Sequence, residues 1–402
     1  MRLPLAFTLL ISLFLIPPVT AAASSNPKSG ASCKSIGSTK IYQGKKFTCI
    51  KNGKKTIWNK GVNVKSSSSS TPKSEIVPTP SQSPIKVLTI AERWNAIDSS
   101  ALTTAKKWML TKRSDSHTVN FIFKGSEKSN SEAMNEIKLR YSQVAKFWEP
   151  YVIVKNPLLV VVGDIGEIDW ICREKLAWLA PWNQPDCVEV EGKGDWSNGT
   201  AGQSQTLTKN IDMYTIDSLK SLDTVGKLAR IEHEFMHNIF HAINKEYNRT
   251  MPCWMIESGA EYFGTLTASK EDFTRFIQLR NYQSQRQNLL MRGAAESDWY
   301  NFLIRTDRTD LNRPFNEDAC GVVRGEIYSH AFLANEYIVS KVGLDGYLEL
   351  VRLAESLGWS KTLESKFAKT REDIYRDMAK YMKYQFDLIL ENPWSHSDLM
   401  KK

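Results

Sequence analysis

Along the stretch from residue 87 to the C-terminus, apolar positions recur first in short β-prone runs and later with helical spacing. Thr118-Val-Asn-Phe-Ile-Phe123, Leu158-Leu-Val-Val-Val162 and Ile211-Asp-Met-Tyr-Thr-Ile216 read as strands. Ile90 to Met109 and Ser131 to Trp148 read as helices, and beyond Ile216 the pattern stays helical to the end. Strands early and helices late predict an α+β fold, with an N-terminal sheet-containing lobe and a C-terminal mainly helical lobe. At 100° per residue over Ser221 to Asn244, Val225, Leu228, Phe235, Met236, Ile239 and Ile243 share one side. His233 and His237 project from the other side, which predicts that the histidines face a cleft. Glu232 falls inside the apolar stripe and needs a buried partner.

Ahead of residue 87 the chain changes character three times. Arg2, an apolar run from Leu3 to Ile16, Pro17-Pro18 and the small residues Val19-Thr-Ala-Ala-Ala23 have the form of a secretory signal peptide over 1–23. The run is shorter than the roughly 18 to 20 residues of a membrane-spanning helix. Residues 28–62 alternate short β-prone pieces with turns, Asn52-Gly53 marking a hairpin, and predict a small lysine-rich β module. Such a piece is too small to fold on apolar burial alone, so a bridge between Cys33 and Cys49 would staple it. Residues 63–86, with five serines at 66–70 and then repeated prolines, predict a disordered linker that lets the module and the domain at 87–402 reorient independently. A content of 42% hydrophobic residues over 402 gives the domain ample core and excludes a disordered chain.

Six cysteines suit an exported, disulfide-forming protein, secreted or extracytoplasmic. Of the 15 possible pairings the simplest joins neighbours: Cys33 with Cys49, Cys172 with Cys187, and Cys253 with Cys320. Thiolate zinc sites would need C-x-x-C spacing, and none is present. Charge is segregated. Residues 1–65 carry Arg2 and ten lysines without one Asp or Glu, so their +11 leaves about −2 for residues 66–402 out of a total of +9. This weakens any idea that an active site in the main domain grips polyanions, and nucleic acid is not an expected partner. The module is expected to meet an anionic surface such as a cell wall or lipid headgroups, or else to be only a solvated face.

The chemistry-bearing residues cluster at one place. Ile231-Glu-His-Glu-Phe-Met-His-Asn-Ile-Phe240 contains H-E-x-x-H, with His233 and His237 four apart on one helix face, about 6 Å from each other. Two imidazoles at that spacing can grip one metal ion, and Glu234 can hold a water beside it. A catalytic zinc site needs a third protein ligand and an open position. Glu257, twenty positions after His237, is the best candidate, and Glu261, four further on, shares its helix face and suits a hydrogen-bond partner of a ligand histidine. His241 could be read as an alternative third ligand, but eight residues from His233 it lies too far along the helix and reads as structural.

This pattern resembles the gluzincin metallopeptidases, the group of thermolysin-like and aminopeptidase N-like enzymes, in the H-E-x-x-H at 233–237 and the W-x-x-E-G-x-A-E-Y type segment at 254–262. The resemblance spans roughly residues 220 to 345. It implies one zinc ion on His233, His237 and Glu257, Glu234 as general base, and a peptide or protein substrate. Relatives also supply an oxyanion donor from a later helix, and Gly325-Glu-Ile-Tyr-Ser-His330 resembles that segment, making Tyr328 the first choice and His330 the second. Ser258 stands where many relatives have Gly. The G-x-M-E-N segment that binds a free amine in the aminopeptidases is absent. The metzincin pattern fails, since it would need Gly at 240 and His at 243 where the chain has Phe240 and Ile243. Separately, the G-K-K-x-x-C-x-K-x-G-K-K-x-x-W run at 44–58 resembles small modules near the N-termini of some exported actinobacterial proteins.

The expectation is an exported zinc metallopeptidase in which Glu234 moves the proton of an attacking water and Tyr328 steadies the oxyanion. A bridge from Cys253 to Cys320 would tie the third-ligand helix to the segment leading to Tyr328. The competing expectations are a catalytically inactive cell-surface protein working through its lysine-rich module, and the same zinc chemistry on a non-peptide amide of the cell wall.

Overall fold

A computed structural model describes residues 28–33, 38–43, 45–63, 97–129, 131–179, 200–203, 208–215, 229–285, 291–309 and 324–391. The predicted leader and all but the first residue of the predicted linker lie outside them, as do Val225 and Leu228. The chain divides into two units, Met1–Ser83 and Pro84–Lys402.

In the smaller unit, β1 (Thr39–Tyr42), β2 (Lys45–Asn52), β3 (Lys55–Trp58) and β4 (Val62–Asn63) form an antiparallel sheet in which β2 pairs all three others. The hairpin between β2 and β3 closes where Asn52 faces Lys55, and Gly53 takes the left-handed φ of 60° that the turn requires. The core consists of Cys33, Phe47, Cys49 and Trp58, with Tyr42 against it, and the Cys33–Cys49 disulfide runs through it. A core this small makes the crosslink a main source of stability, because it restricts the unfolded chain.

The larger unit is α+β. Its sheet has the order β5 (Phe121–Gly125), β6 (Leu158–Gly163), β8 (Asn210–Thr215), β7 (Thr200–Gln203). The first three strands are parallel, and β7 runs antiparallel along β8. Around and after the sheet come α1 (Ser99–Met109), α2 (Ser131–Trp148), α3 (Ile168–Leu179), α4 (Arg230–Ile243), α5 (Tyr247–Thr250), α6 (Cys253–Ser269), α7 (Phe273–Gln285), α8 (Glu296–Arg305), α9 (Arg324–His330), α10 (Phe332–Leu357), α11 (Trp359–Phe367) and α12 (Arg371–Glu391).

Strand β6 shows why the sheet sits inside. Its six residues are all buried, as its unbroken aliphatic run requires of a parallel strand covered on both faces. Leu158, Val160 and Val162 join the main core with Tyr141, Tyr214 and Phe235; Leu159 and Val161 join a second core with Ile171, Leu179, Ile211 and Met213. Helix α3 therefore covers one face while α2 and α4 lie on the other. Strand β5 begins at Phe121, where its pairing with Leu158 begins, and not at Thr118 as the β-prone run suggests. Thr118 instead donates from its N–H (3.2 Å) and its hydroxyl (2.8 Å) to the Glu149 carboxylate. Among the described residues no helix is long and apolar enough to cross a membrane.

Candidate metal centre

Helix α4 is buried at every position from Ile231 to His241. Packing on all sides leaves His233 and His237 only 6% exposed each. Two polar anchors on α4 make this burial tolerable, and a third contact secures the acceptor of one of them. Arg140 of α2 forms a two-pronged pair with Glu232, its Nε donating to Oε1 at 3.1 Å and its Nη2 to Oε2, which supplies the buried partner that Glu232 required. Asn238 donates from Nδ2 to Asp212 Oδ1 on β8 at 3.0 Å. The Tyr141 hydroxyl donates to Asp212 Oδ2 at 2.6 Å and lies 2.7 Å from the Tyr214 hydroxyl.

Helix α6 approaches α4 closely because of Gly264. A Cβ there would meet His233 N at 3.0 Å and Ala229 O at 3.1 Å, backbone atoms that cannot swing aside. The contact brings Glu257, two turns earlier on α6, over the paired imidazoles. Nε2 of His233 and Nε2 of His237 are 3.3 Å apart, and Glu257 Oε2 lies 3.7 Å from each. His233, His237 and Glu257 are the one group of potential metal ligands that converges among the described residues. The nearest point equidistant from these three atoms is about 2.1 Å from each, within the range of Zn–N and Zn–O bond lengths, so the donor set fits a zinc ion. The Glu257 side chain keeps 30% of its surface against 8% for either histidine, so solvent reaches the group from the carboxylate side.

The far sides of the imidazoles also have neighbours. Glu261 Oε2 lies 3.9 Å from His233 Nδ1, facing it at ion-pair distance, and also accepts a hydrogen bond from Gln283 Nε2 at 2.9 Å. The Tyr247 hydroxyl is 3.4 Å from His237 Nδ1. Tyr247 was not anticipated, since nothing in α5 marks it until the chain turns back beside α4. His241 packs edge-on against the same tyrosine at 4.4 Å, away from the ligand atoms, and burial lowers its pKa to about 3.

Of the two oxyanion candidates, the structure brings Tyr328 alone to the group. Its ring lies 5.7 Å from that of His233, and its hydroxyl is close enough to the Glu257 carboxylate for each to shift the other's pKa. His330, two residues on and so about 200° around α9, faces Trp299 and Phe302 of α8 at 5.7 and 5.2 Å. Burial there lowers its pKa to about 4. Ser258 has a role that the resemblance did not suggest: its hydroxyl donates to the Ile327 carbonyl, linking α6 to the helix that carries Tyr328. Cys172 and Cys253 are both disulfide-bonded, while Cys187 and Cys320 lie outside the described residues.

The electrostatics are those of a tightly coupled buried cluster. Burial raises Glu234 to about 7, with Asp212 and Glu257 adding to the rise and His233 opposing it. Burial depresses His237, to about 4. His233 goes the other way, to about 9, because the attraction of the Glu257, Glu261 and Glu234 carboxylates outweighs its burial. Glu257 falls to about 2 although burial opposes this, chiefly through His237 and His233. A site that holds a proton so strongly between two imidazoles and several carboxylates is one where a cation can take that proton's place. No family model, curated protein or solved structure matches the chain.

Proposed function

We propose that the chain is an exported zinc-dependent metallopeptidase of the gluzincin type, hydrolysing peptide bonds in a peptide or protein substrate. One observation carries the reading: Nε2 of His233, Nε2 of His237 and Oε2 of Glu257 converge from two helices to mutual distances of 3.3, 3.7 and 3.7 Å. These three residues would hold the ion. Bound there, zinc would supply Lewis-acid chemistry, polarising the scissile carbonyl and acidifying water.

The remaining roles fall to the chain itself. Glu234, with a pKa raised to about 7 by burial, is poised to take a proton from water near neutral pH and to return it to the leaving amine. Tyr328, whose ring packs 5.7 Å from that of His233, would donate a hydrogen bond to oxygen as negative charge develops on it. Because burial and the neighbouring carboxylates hold the Tyr328 pKa well above its ordinary value, the phenol keeps its proton for that purpose.

The test is Glu234→Gln beside the parent, with metal analysis and a mixed peptide library. The parent should carry about one zinc per chain and hydrolyse in a chelator-sensitive way. The variant should keep the zinc and lose about 10²- to 10⁴-fold in rate. Equal turnover by the two proteins removes the general-base role. A parent that takes up no zinc supports instead the inactive surface protein.

A further inference from the structure

The second inference concerns the small module and stands apart from the peptidase reading. Its eight described lysines, at 28, 40, 45, 46, 51, 54, 55 and 60, are all exposed, and no acidic side chain occurs in residues 1–65 to offset them. The register sorts the sheet into two faces. Phe47, Cys49 and Trp58 point into the core. On the opposite face Lys46 pairs with Val62, Ile50 with Ile57, and Asn52 with Lys55. Val62 is 68% and Ile50 41% exposed, and Ile57 is half-buried.

A module with so small a core would be expected to bury its branched aliphatic residues first. This one leaves three of them on the face that also carries Lys46 and Lys55. A face made only to meet a hydrophilic polyanion has no use for exposed Ile and Val, whereas an anionic bilayer offers phosphates to the lysines and an acyl boundary to the aliphatics. We propose that this sheet face docks on an anionic lipid surface, with Lys46 and Lys55 meeting headgroup phosphates and Ile50, Ile57 and Val62 entering the interface.

The experiment is vesicle co-sedimentation of the processed chain, residues 24–402, on phosphatidylcholine alone and on phosphatidylcholine with one-third phosphatidylglycerol. Binding should be at least about tenfold tighter to the anionic vesicles and should weaken about tenfold as salt rises from 0.1 to 0.5 M. The double variant Ile50→Ser/Val62→Ser, altered only at exposed positions, should lose about fivefold in affinity while keeping the salt dependence. Lys46→Gln/Lys55→Gln should lose a similar factor and show a shallower salt dependence. An intact Cys33–Cys49 bridge, shown by peptide mapping without reduction, establishes that the module of each variant is folded. Absence of vesicle binding overturns the proposal. So does equally tight binding to soluble polyglutamate or poly(glycerol phosphate) that is indifferent to Ile50→Ser/Val62→Ser, which would identify a polymer-binding face.

Discussion

At Glu232 a carboxylate is enclosed beside the first metal-ligand candidate, and the cation that pairs with it directly is Arg140, with Arg113 adding a longer-range attraction. The pair is nearly dry, with side-chain exposures of 7% and 10%. Such a pair adds little net stability over an apolar one, but removing one partner strands the other charge. Glu232→Ala should therefore lower stability by about 3–5 kcal/mol, read as a shift in urea midpoint. An unshifted midpoint would mean that Arg140 finds water or another acid. The position was legible from sequence as an anomaly in an apolar stripe. Its partner was not, because Arg140 sits 92 residues earlier on a helix whose packing only the fold determines. Gln283 at Glu261 and Tyr247 at His237 escaped for the same reason, both being unremarkable polar residues until packing brings one to the carboxylate and the other to the imidazole.

Among elements, the decisive contacts are those of α4 with the sheet and with α6. Asp212 on β8 is the buried acceptor for Asn238 of α4 and for Tyr141, and burial raises its pKa from 3.8 to about 7 against the lowering effect of those hydrogen bonds. The folded state then holds this proton more tightly than the unfolded chain does. Its contribution to stability is fully present below pH 3.8 and is lost as pH rises through about 7. Between pH 5 and 8 the loss should amount to about 2–3 kcal/mol. Denaturant melts at both pH values, for the parent and for Asp212→Asn, isolate it: on going from pH 5 to 8 the parent should lose about this much more stability than the variant. Identical slopes would show that Asp212 is ionised throughout. Local signals announced some of these elements and missed others. The helix Ser131–Trp148 and the strand starting at Leu158 stand where their patterns predict. Helix α3 was not anticipated, although Asp164 and Glu167 form a capping box just ahead of it.

For the whole molecule, the question is how a cation couples to the fold. The candidate ligands come from α4 and α6, so an ion that binds only the folded state links those helices and stabilises the protein by mass action. Zinc at about a hundred times its dissociation constant should contribute about 2.7 kcal/mol, and a chelator should lower the thermal midpoint of the larger unit by about 4 °C. A midpoint indifferent to both would argue that the three side chains serve only as a packed polar cluster. The chain also divides at Ser83 into units of unlike construction: one rests on a disulfide and four core residues, the other on an extensive apolar core.

Sequence alone determined what depends on neighbours along the chain. The 3.6-residue period placed His233 and His237 on one side of a helix, and Asn52-Gly53 marked the hairpin. The spacing of Glu257 from that pair offered a third ligand. Only the tertiary structure decided that α4 is buried on every side, that Tyr328 and not His330 turns to the ligand group, and that Gly264 lets α6 bring Glu257 within 3.7 Å of both imidazoles. The reason is physical. Periodicity and turn chemistry are local properties of the backbone, whereas burial and approach depend on close packing between elements distant in sequence, which a one-dimensional pattern does not encode.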